Sequence, residues 1–199
     1  ESLAPGDFIV VDQFIDRTFA RVKSFFGAGL VAHVSMAHPV CRRIGADLLQ
    51  ATGSVPGMRA IHGGTYLVME GPQFSTLAES ELYRSWGCDV IGMTNMPEAK
   101  LAREGEICYA TVAMVTDYDC WHEDHDDVTV EAVIQVVNEN AARARTLVTA
   151  LAAGFAPERA ACSSGCDRAL DNAVMTAPEA RDAALVAKLD AVAGRVLRF

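Results

Sequence analysis

No uninterrupted apolar run in this chain approaches the ~18 residues that a membrane-spanning helix needs, so a transmembrane reading is excluded. The opening residues, ESLAPGDFIVV, carry no basic stretch ahead of an apolar one, and no signal peptide is expected. Positive charge is scarce: 17 Lys and Arg stand against 26 Asp and Glu, a formal net charge of −9. Phosphate backbones and anionic lipid surfaces select basic faces, so neither nucleic acid nor a membrane is an expected partner. A small anion such as phosphate needs local donors to overcome that background. Internal repeats and low-complexity tracts are absent. So are GxGxxG and GxxxxGK[ST], the glycine-rich loops that cradle phosphate after the first strand of a doubly wound sheet. A phosphate site must therefore be built differently, or lie outside this chain.

What is present suffices for a sizeable core. The chain has 199 residues, 51% of them apolar, and reads as a single domain over 1–199, with a connector and C-terminal helix over 154–199. Six cysteines are even in number, but Cys41, Cys88, Cys108 and Cys120 lie in apolar or element-like contexts, where cysteine behaves as a small buried hydrophobe. Cys162 and Cys166, in CSSGC, could close a small disulfide loop. Without an export signal two free thiols are the expected state, and the cytoplasm the expected location.

Strand-like and helix-like stretches alternate. FIVVDQFID reads as a strand after the PGD turn. PVCRRIGADLLQATG predicts a helix from about Pro39, stopped near Gly53. GTYLVMEG is a strand, and Thr76 with Glu79 forms a capping-box signature for a helix that Gly87 ends. CDVIGMT is a strand ending at Thr94, MPEAKLAREG a short helix, and ICYATVAMVT a buried strand. The long amphipathic stretch VEAVIQVVNENAARARTLVTALA follows, and a second capping box, Thr176 with Glu179, opens a final helix. This order predicts an α/β fold: a mostly parallel twisted sheet flanked by helices.

The stretch TDYDCWHEDHDD packs six acids and two histidines into twelve residues. It fits no metal pattern. His122 and His125 are spaced i and i+3 rather than i and i+4, no PCxxC accompanies them, and the glycine and terminal glutamate of a calcium loop are missing. No metal site and no cofactor are expected. Glu123, Asp124, Asp126 and Asp127 precede the long helix, where the helix dipole favours acids. Asp117 and Asp119 instead follow an apolar strand at its carboxyl end, where open α/β sheets place ligand crevices. They alternate around Tyr118, so in an extended chain both face one side. Such a pair suits a donor-rich ligand edge, one acid serving as donor or general acid; capping of the following loop is the plainer alternative.

Three segments carry a resemblance: PGDFIVVDQFIDRT, VMEGPQFSTLAES and GMTNMPEAKLAREGEICYATVAMVTDYDCW. Together they resemble the 5′-methylthioadenosine phosphorylase branch of the trimeric purine nucleoside phosphorylases, from the first residue to about Ala150. The resemblance implies a purine nucleoside phosphorylase-like fold and phosphorolysis, in which inorganic phosphate, as co-substrate, attacks the anomeric carbon and adenine leaves. It implies that Asp117 serves N7 of the purine and Asp119 accepts from the exocyclic amine. A carboxylate accepts from an amine but repels a carbonyl oxygen, which favours 6-aminopurines. By the same resemblance Phe74 and Ser75 contact the purine, Met93 and Thr94 the ribose and phosphate, and Thr116 the substrate. His33 reaches the alkylthio end of a neighbouring subunit's ligand, and Val130, Val133 and Ile134 wall the methylthio group. Ordinary core packing would account for Phe74 and for those three aliphatic residues as well.

The family pattern also implies a preceding segment with the glycine-rich phosphate loop, an arginine–histidine phosphate pair, and a homotrimer. The fold is therefore expected to be N-terminally incomplete here, with Thr94 alone among the phosphate donors. A general purine nucleoside phosphorylase acting on adenosine or inosine, and a catalytically silent nucleoside-binding fragment, are the alternatives.

Overall fold

A computed structural model describes residues 2–122, 130–156, 158 and 160–198, without the side chains of 130, 132 and 133. The acidic run from Glu123 to Asp127, His125 included, lies outside the described residues, as do the side chains of Val130 and Val133.

The first predicted strand forms in two pieces, β1 (Phe8–Val10) and β2 (Gln13–Asp16); the strand predicted from GTYLVMEG forms as β4 (Thr65–Val68), and β3 (Ala60–His62), ahead of it, was not expected. β1 pairs with β3 and β2 with β4, both in parallel. The interruptions fall at one level. There Gly63 donates to the Val10 carbonyl at 2.9 Å, and Gln13 to the Gly64 carbonyl at 3.2 Å, so backbone bonding continues across the kink. Gly63 and Gly64 both have positive φ, which glycine adopts without the Cβ clash of other residues.

β5 (Val90–Gly92) adds to β4 in parallel, while β6 (Val112–Met114) runs antiparallel to β1. The strands thus form two three-stranded sheets, β3-β1-β6 and β2-β4-β5, mostly parallel as the alternation of elements predicts, with β6 as the exception. β6 is also shorter than its apolar run suggests.

β1 is buried on both faces and sorts its side chains by the two-residue period of a strand. Ile9 and Val11 pack with Tyr66, Val68, Met96 and Ala99. Val10 points the other way, to Leu48 of α1 (Arg42–Thr52), Val55, and Leu147 of α4 (Val130–Ala153). α1 begins later than Pro39 because Cys41 is still extended, at φ −72° and ψ 113°. The Thr76–Glu79 box forms as predicted and opens α2 (Leu77–Ser85). Its carboxylate accepts from the Thr76 amide at 2.8 Å and the Thr76 hydroxyl at 2.9 Å. Gly87, at φ +76°, follows that helix. α3 (Glu98–Glu104) lies between β5 and β6.

The second capping box does not form, and the single final helix is replaced by three short pieces. Residues Pro178–Ala180 make one 3-10 turn, Arg181 turns extended, and α5 (Ala183–Lys188) and α6 (Asp190–Leu197) follow. Asp182 caps α5 through a 2.7 Å bond from the Leu185 amide. The Thr176 hydroxyl is engaged elsewhere, accepting from the Val31 amide at 2.9 Å. Among the described residues no helix is long and apolar enough to cross a membrane. No disulfide joins any of the six cysteines; Cys41, Cys162 and Cys166 are buried, but Cys120 is exposed rather than a buried hydrophobe.

Candidate active site

β4 and β5 are parallel neighbours, so their carboxyl ends open at one edge of the sheet, and the chain leaving each carries predicted site residues. Beyond β4, the turn from Met69 to Thr76 leads into α2. Phe74 sits there with 87% of its surface exposed, so it is not core. Ser75 is half-buried, its hydroxyl 3.8 Å from the Met69 sulfur. Beyond β5 come Met93 and Thr94. The Thr94 hydroxyl is exposed, 3.2 Å from the Tyr66 hydroxyl and 3.4 Å from the Asn95 amide nitrogen.

Two glycines let these loops approach. A Cβ on Gly71 would stand 2.5 Å from the Met93 sulfur, and one on Gly92 would overlap the Tyr66 hydroxyl. Asn95, buried at positive φ, is fixed by the Tyr109 hydroxyl at 2.8 Å and the Thr111 hydroxyl at 2.7 Å. Burial, with Glu98 nearby, pushes the Tyr109 hydroxyl up to about 12, so it remains a donor.

Arg21 ties the two loops together. Its guanidinium donates to the carbonyls of Met93 (2.8 Å), Met96 (2.5 Å) and Glu70 (2.9 Å), and to the Glu70 carboxylate at 3.0 Å. Glu70 also accepts from the amides of Ala20 and Phe19, and these bonds hold its carboxyl below the usual range.

The acidic pair arrives by another route than the sequence suggests. β6 is antiparallel to β1, so its carboxyl end lies beside Phe8 rather than at a shared parallel edge. The strand stops at Met114 and bends at Asp117, and the two acids do not alternate along an extended chain. Asn140 of α4 holds the departing segment, donating to the Val115 carbonyl at 3.0 Å. The segment then crosses to α2. There Ser80, 1% exposed, donates to Asp119 Oδ2 at 2.5 Å, and the Cys120 amide donates to Oδ1 at 2.9 Å. The Cys120 thiol lies 3.8 Å from the Ser75 carbonyl, and Arg84 stacks 3.6 Å over Trp121.

Asp119 and Ser75 are therefore brought together. Asp117 is exposed, its Oδ2 accepting from the Thr116 hydroxyl at 2.7 Å. His33 stands elsewhere: its amide donates to Ala173 at 2.8 Å, and its side chain lines a cavity of about 780 Å³ with His38, Arg42 and Arg103. Ile134 is 53% exposed on α4. Arg21, Ser80 and Tyr66 went unread in the sequence. Arg21 and Tyr66 sit in no motif. Ser80 falls one residue past the capping box, where only the side-chain packing of a neighbouring loop gives it a role.

A mostly parallel α/β arrangement with loops at the ends of two parallel strands, and Asp119 delivered beside them from a third, defines a class that comparison with known proteins makes specific. The model of the phosphorylase superfamily matches residues 1–153, and the chain belongs to that family. S-methyl-5′-thioadenosine phosphorylase of Cereibacter sphaeroides is 65% identical over 198 residues, and that of Bradyrhizobium diazoefficiens 62%. Each alignment covers the whole chain and 68% of the relative. Among solved structures, a methylthioadenosine phosphorylase from an Antarctic soil metagenomic library superposes with a TM-score of 0.87 at 44% identity, over 94% of this chain and 66% of that one. A methylthioadenosine phosphorylase from Schistosoma mansoni in complex with adenine gives 0.71 at 33% identity, over 77% and 60%. The chain thus spans about two thirds of the length of these relatives.

Proposed function

We propose that this chain forms the nucleoside-binding part of an enzyme that cleaves 5′-methylthioadenosine with inorganic phosphate, giving adenine and 5-methylthioribose 1-phosphate. The observation that carries this reading is the seating of Asp119 on buried Ser80 beside Ser75, in a chain whose relatives are named for this activity.

In the proposed reaction a phosphate oxygen forms the bond to the anomeric carbon as the bond from that carbon to purine N9 breaks. Positive charge builds on the sugar and electron density on the base. Groups that meet this charge where it develops accelerate the step, because they bind the transition state more strongly than the substrate. Asp117 delivers a proton at N7, and Asp119, with one oxygen held by Ser80, accepts from the exocyclic amine. Thr94 donates to phosphate, Met93 lies under the ribose, and Phe74, exposed at the mouth of α2, is free to stack on the purine. Thr116 holds Asp117. Ile134 is assigned to the methylthio end, with His33 serving a neighbouring subunit.

The remaining phosphate donors are assigned to the part of the enzyme that this chain does not span, and no cofactor is required. A homotrimer is proposed; Phe19 and Val22, 82% and 80% exposed, are apolar surface that a partner would cover. Six cysteines without a disulfide favour the cytoplasm as location.

Phosphate-dependent release of adenine, followed by absorbance in the enzyme carrying this chain, tests the reading. Methylthioadenosine should be turned over in preference to methylthioinosine. Preference for the inosine compound would remove the role given to Asp119, and ligand binding without phosphate-dependent release would indicate a silent nucleoside binder.

A further inference from the structure

Four of the six cysteines, from three separate segments, converge on one point. Cys41 stands at the N-cap of α1, Cys108 follows α3, and Cys162 and Cys166 come from the connector beyond α4. Their sulfur atoms all lie within 4.8 Å of one another, with those of Cys41 and Cys162 3.6 Å apart. Zinc bound by four thiolates at ~2.3 Å sets tetrahedral sulfur–sulfur edges of about 3.8 Å, so the cluster is already near the size of such a cage.

Two cationic side chains and a tight turn surround the sulfur atoms. Gly165, at φ +67°, donates to the Cys162 carbonyl at 2.9 Å and turns the chain so that Cys166 comes back to Cys162. Two guanidiniums face the cluster: Arg43 Nη2 is 3.4 Å from the Cys108 sulfur, and Arg103 Nη1 is 3.9 Å from that of Cys166. Four thiolates around a divalent cation leave two net negative charges, which two arginines balance. Around four neutral thiols the same arginines would face only weak acceptors.

We propose that Cys41, Cys108, Cys162 and Cys166 form a structural zinc site. Four protein ligands close the coordination shell, so the ion cross-links rather than catalyses. It joins the connector to the start of α1 and to the chain leaving α3. Each zinc–sulfur bond forms as a remaining thiol proton passes to water, with no change in oxidation state. Only half of this set, Cys162-x3-Cys166, has a spacing visible in the sequence. The other two ligands are supplied by the fold, which is why a zinc site was not among the sequence expectations.

The test is metal analysis of the untagged enzyme carrying this chain, purified under reductant and without chelator. One zinc per chain is expected, released when an organomercurial titrates the thiols. Exchange into cobalt should give the thiolate-to-metal charge-transfer and d–d bands of tetrahedral sulfur ligation. Cys108→Ser and Cys162→Ser should each lose the equivalent of zinc, and Cys88→Ser, outside the cluster, should keep it. Should the serine variants not fold, the cobalt spectrum of the unaltered enzyme decides. Absence of stoichiometric metal after incubation with zinc, a cobalt spectrum without sulfur bands, or an intact mass showing disulfides among these four residues would each overturn the proposal.

Discussion

The Ser80 hydroxyl reaches out of α2 to hold Oδ2 of Asp119 at 2.5 Å, joining a helix that follows β4 to a loop that follows β6. This bond orients the acid assigned to the exocyclic amine while leaving the Asp117 carboxylate exposed a short way upstream. A hydrogen bond to a charged group contributes about 1.5–3 kcal/mol, which converts to roughly 10–100-fold in affinity. Ser80→Ala should therefore raise KM for methylthioadenosine by about that factor, with a much smaller change for methylthioinosine. Steady-state kinetics with both substrates checks this.

Asp117 is assigned chemistry rather than binding. General-acid groups contribute about 10²–10⁴-fold to rate, so Asp117→Ala should lower kcat by that order with KM little changed, whereas Asp119→Asn should act mainly on KM. Unchanged turnover in Asp117→Ala would end the assignment.

Arg21 spans both loops with a planar fork of donors, and lysine, a single point charge, cannot reproduce it. Arg21→Lys should cost about 2–3 kcal/mol by leaving carbonyls and the Glu70 carboxylate poorly matched. Urea unfolding measures the loss, and phosphate affinity should fall with it as the segment bearing Thr94 loosens.

Gly92→Ala drives a methyl group into the Tyr66 hydroxyl. Displacement of that ring should cost about 1–3 kcal/mol and separate Tyr66 from Thr94. Thermal unfolding, read with the KM for phosphate, would show both effects in one variant.

Asp16, at the carboxyl end of β2, is raised by burial, but bonds from Lys100, Thr18 and Lys23 outweigh this and hold its carboxyl well below the usual range. A depressed folded value means a stabilising contribution that is complete above the unfolded pKa of ~3.9 and is lost as pH falls from there toward the folded value. The difference in stability between the parent and Asp16→Asn should therefore be constant near neutrality and shrink below about pH 4. Denaturant titrations at a series of pH values would show it.

Local signals were readable in the sequence where one short stretch contains the whole cause. The Thr76–Glu79 box needs only four residues, and it forms. The Thr176–Glu179 box has the same letters, but Val31, far away in sequence, takes the Thr176 hydroxyl, and Asp182 caps the helix instead. The apolar run ahead of Asp117 announced a strand, yet nothing in it told that β6 would run antiparallel or end at Met114. The same limit applies to the site. Phe74, Ser75, Thr94 and the two acids stand in recognisable motifs. Arg21 and Ser80 matter through partners dozens of residues distant, and Asn95 through Tyr109 and Thr111 beyond α3, which only the folded chain brings near.

The match to the phosphorylase superfamily model stops at residue 153, but the packing does not. Phe26 and Leu30 are roofed by Leu170, Ala173, Leu189, Ala193 and Leu197, and the backbones at Val31 and His33 are laced to Met175 and Ala173. Nicking the polypeptide in the connector should leave two pieces that stay clasped. Trimming the tail away would strand Phe26 and Leu30 in water, at about 1.5–3 kcal/mol apiece. The end of that model is thus not a line along which the molecule can be divided.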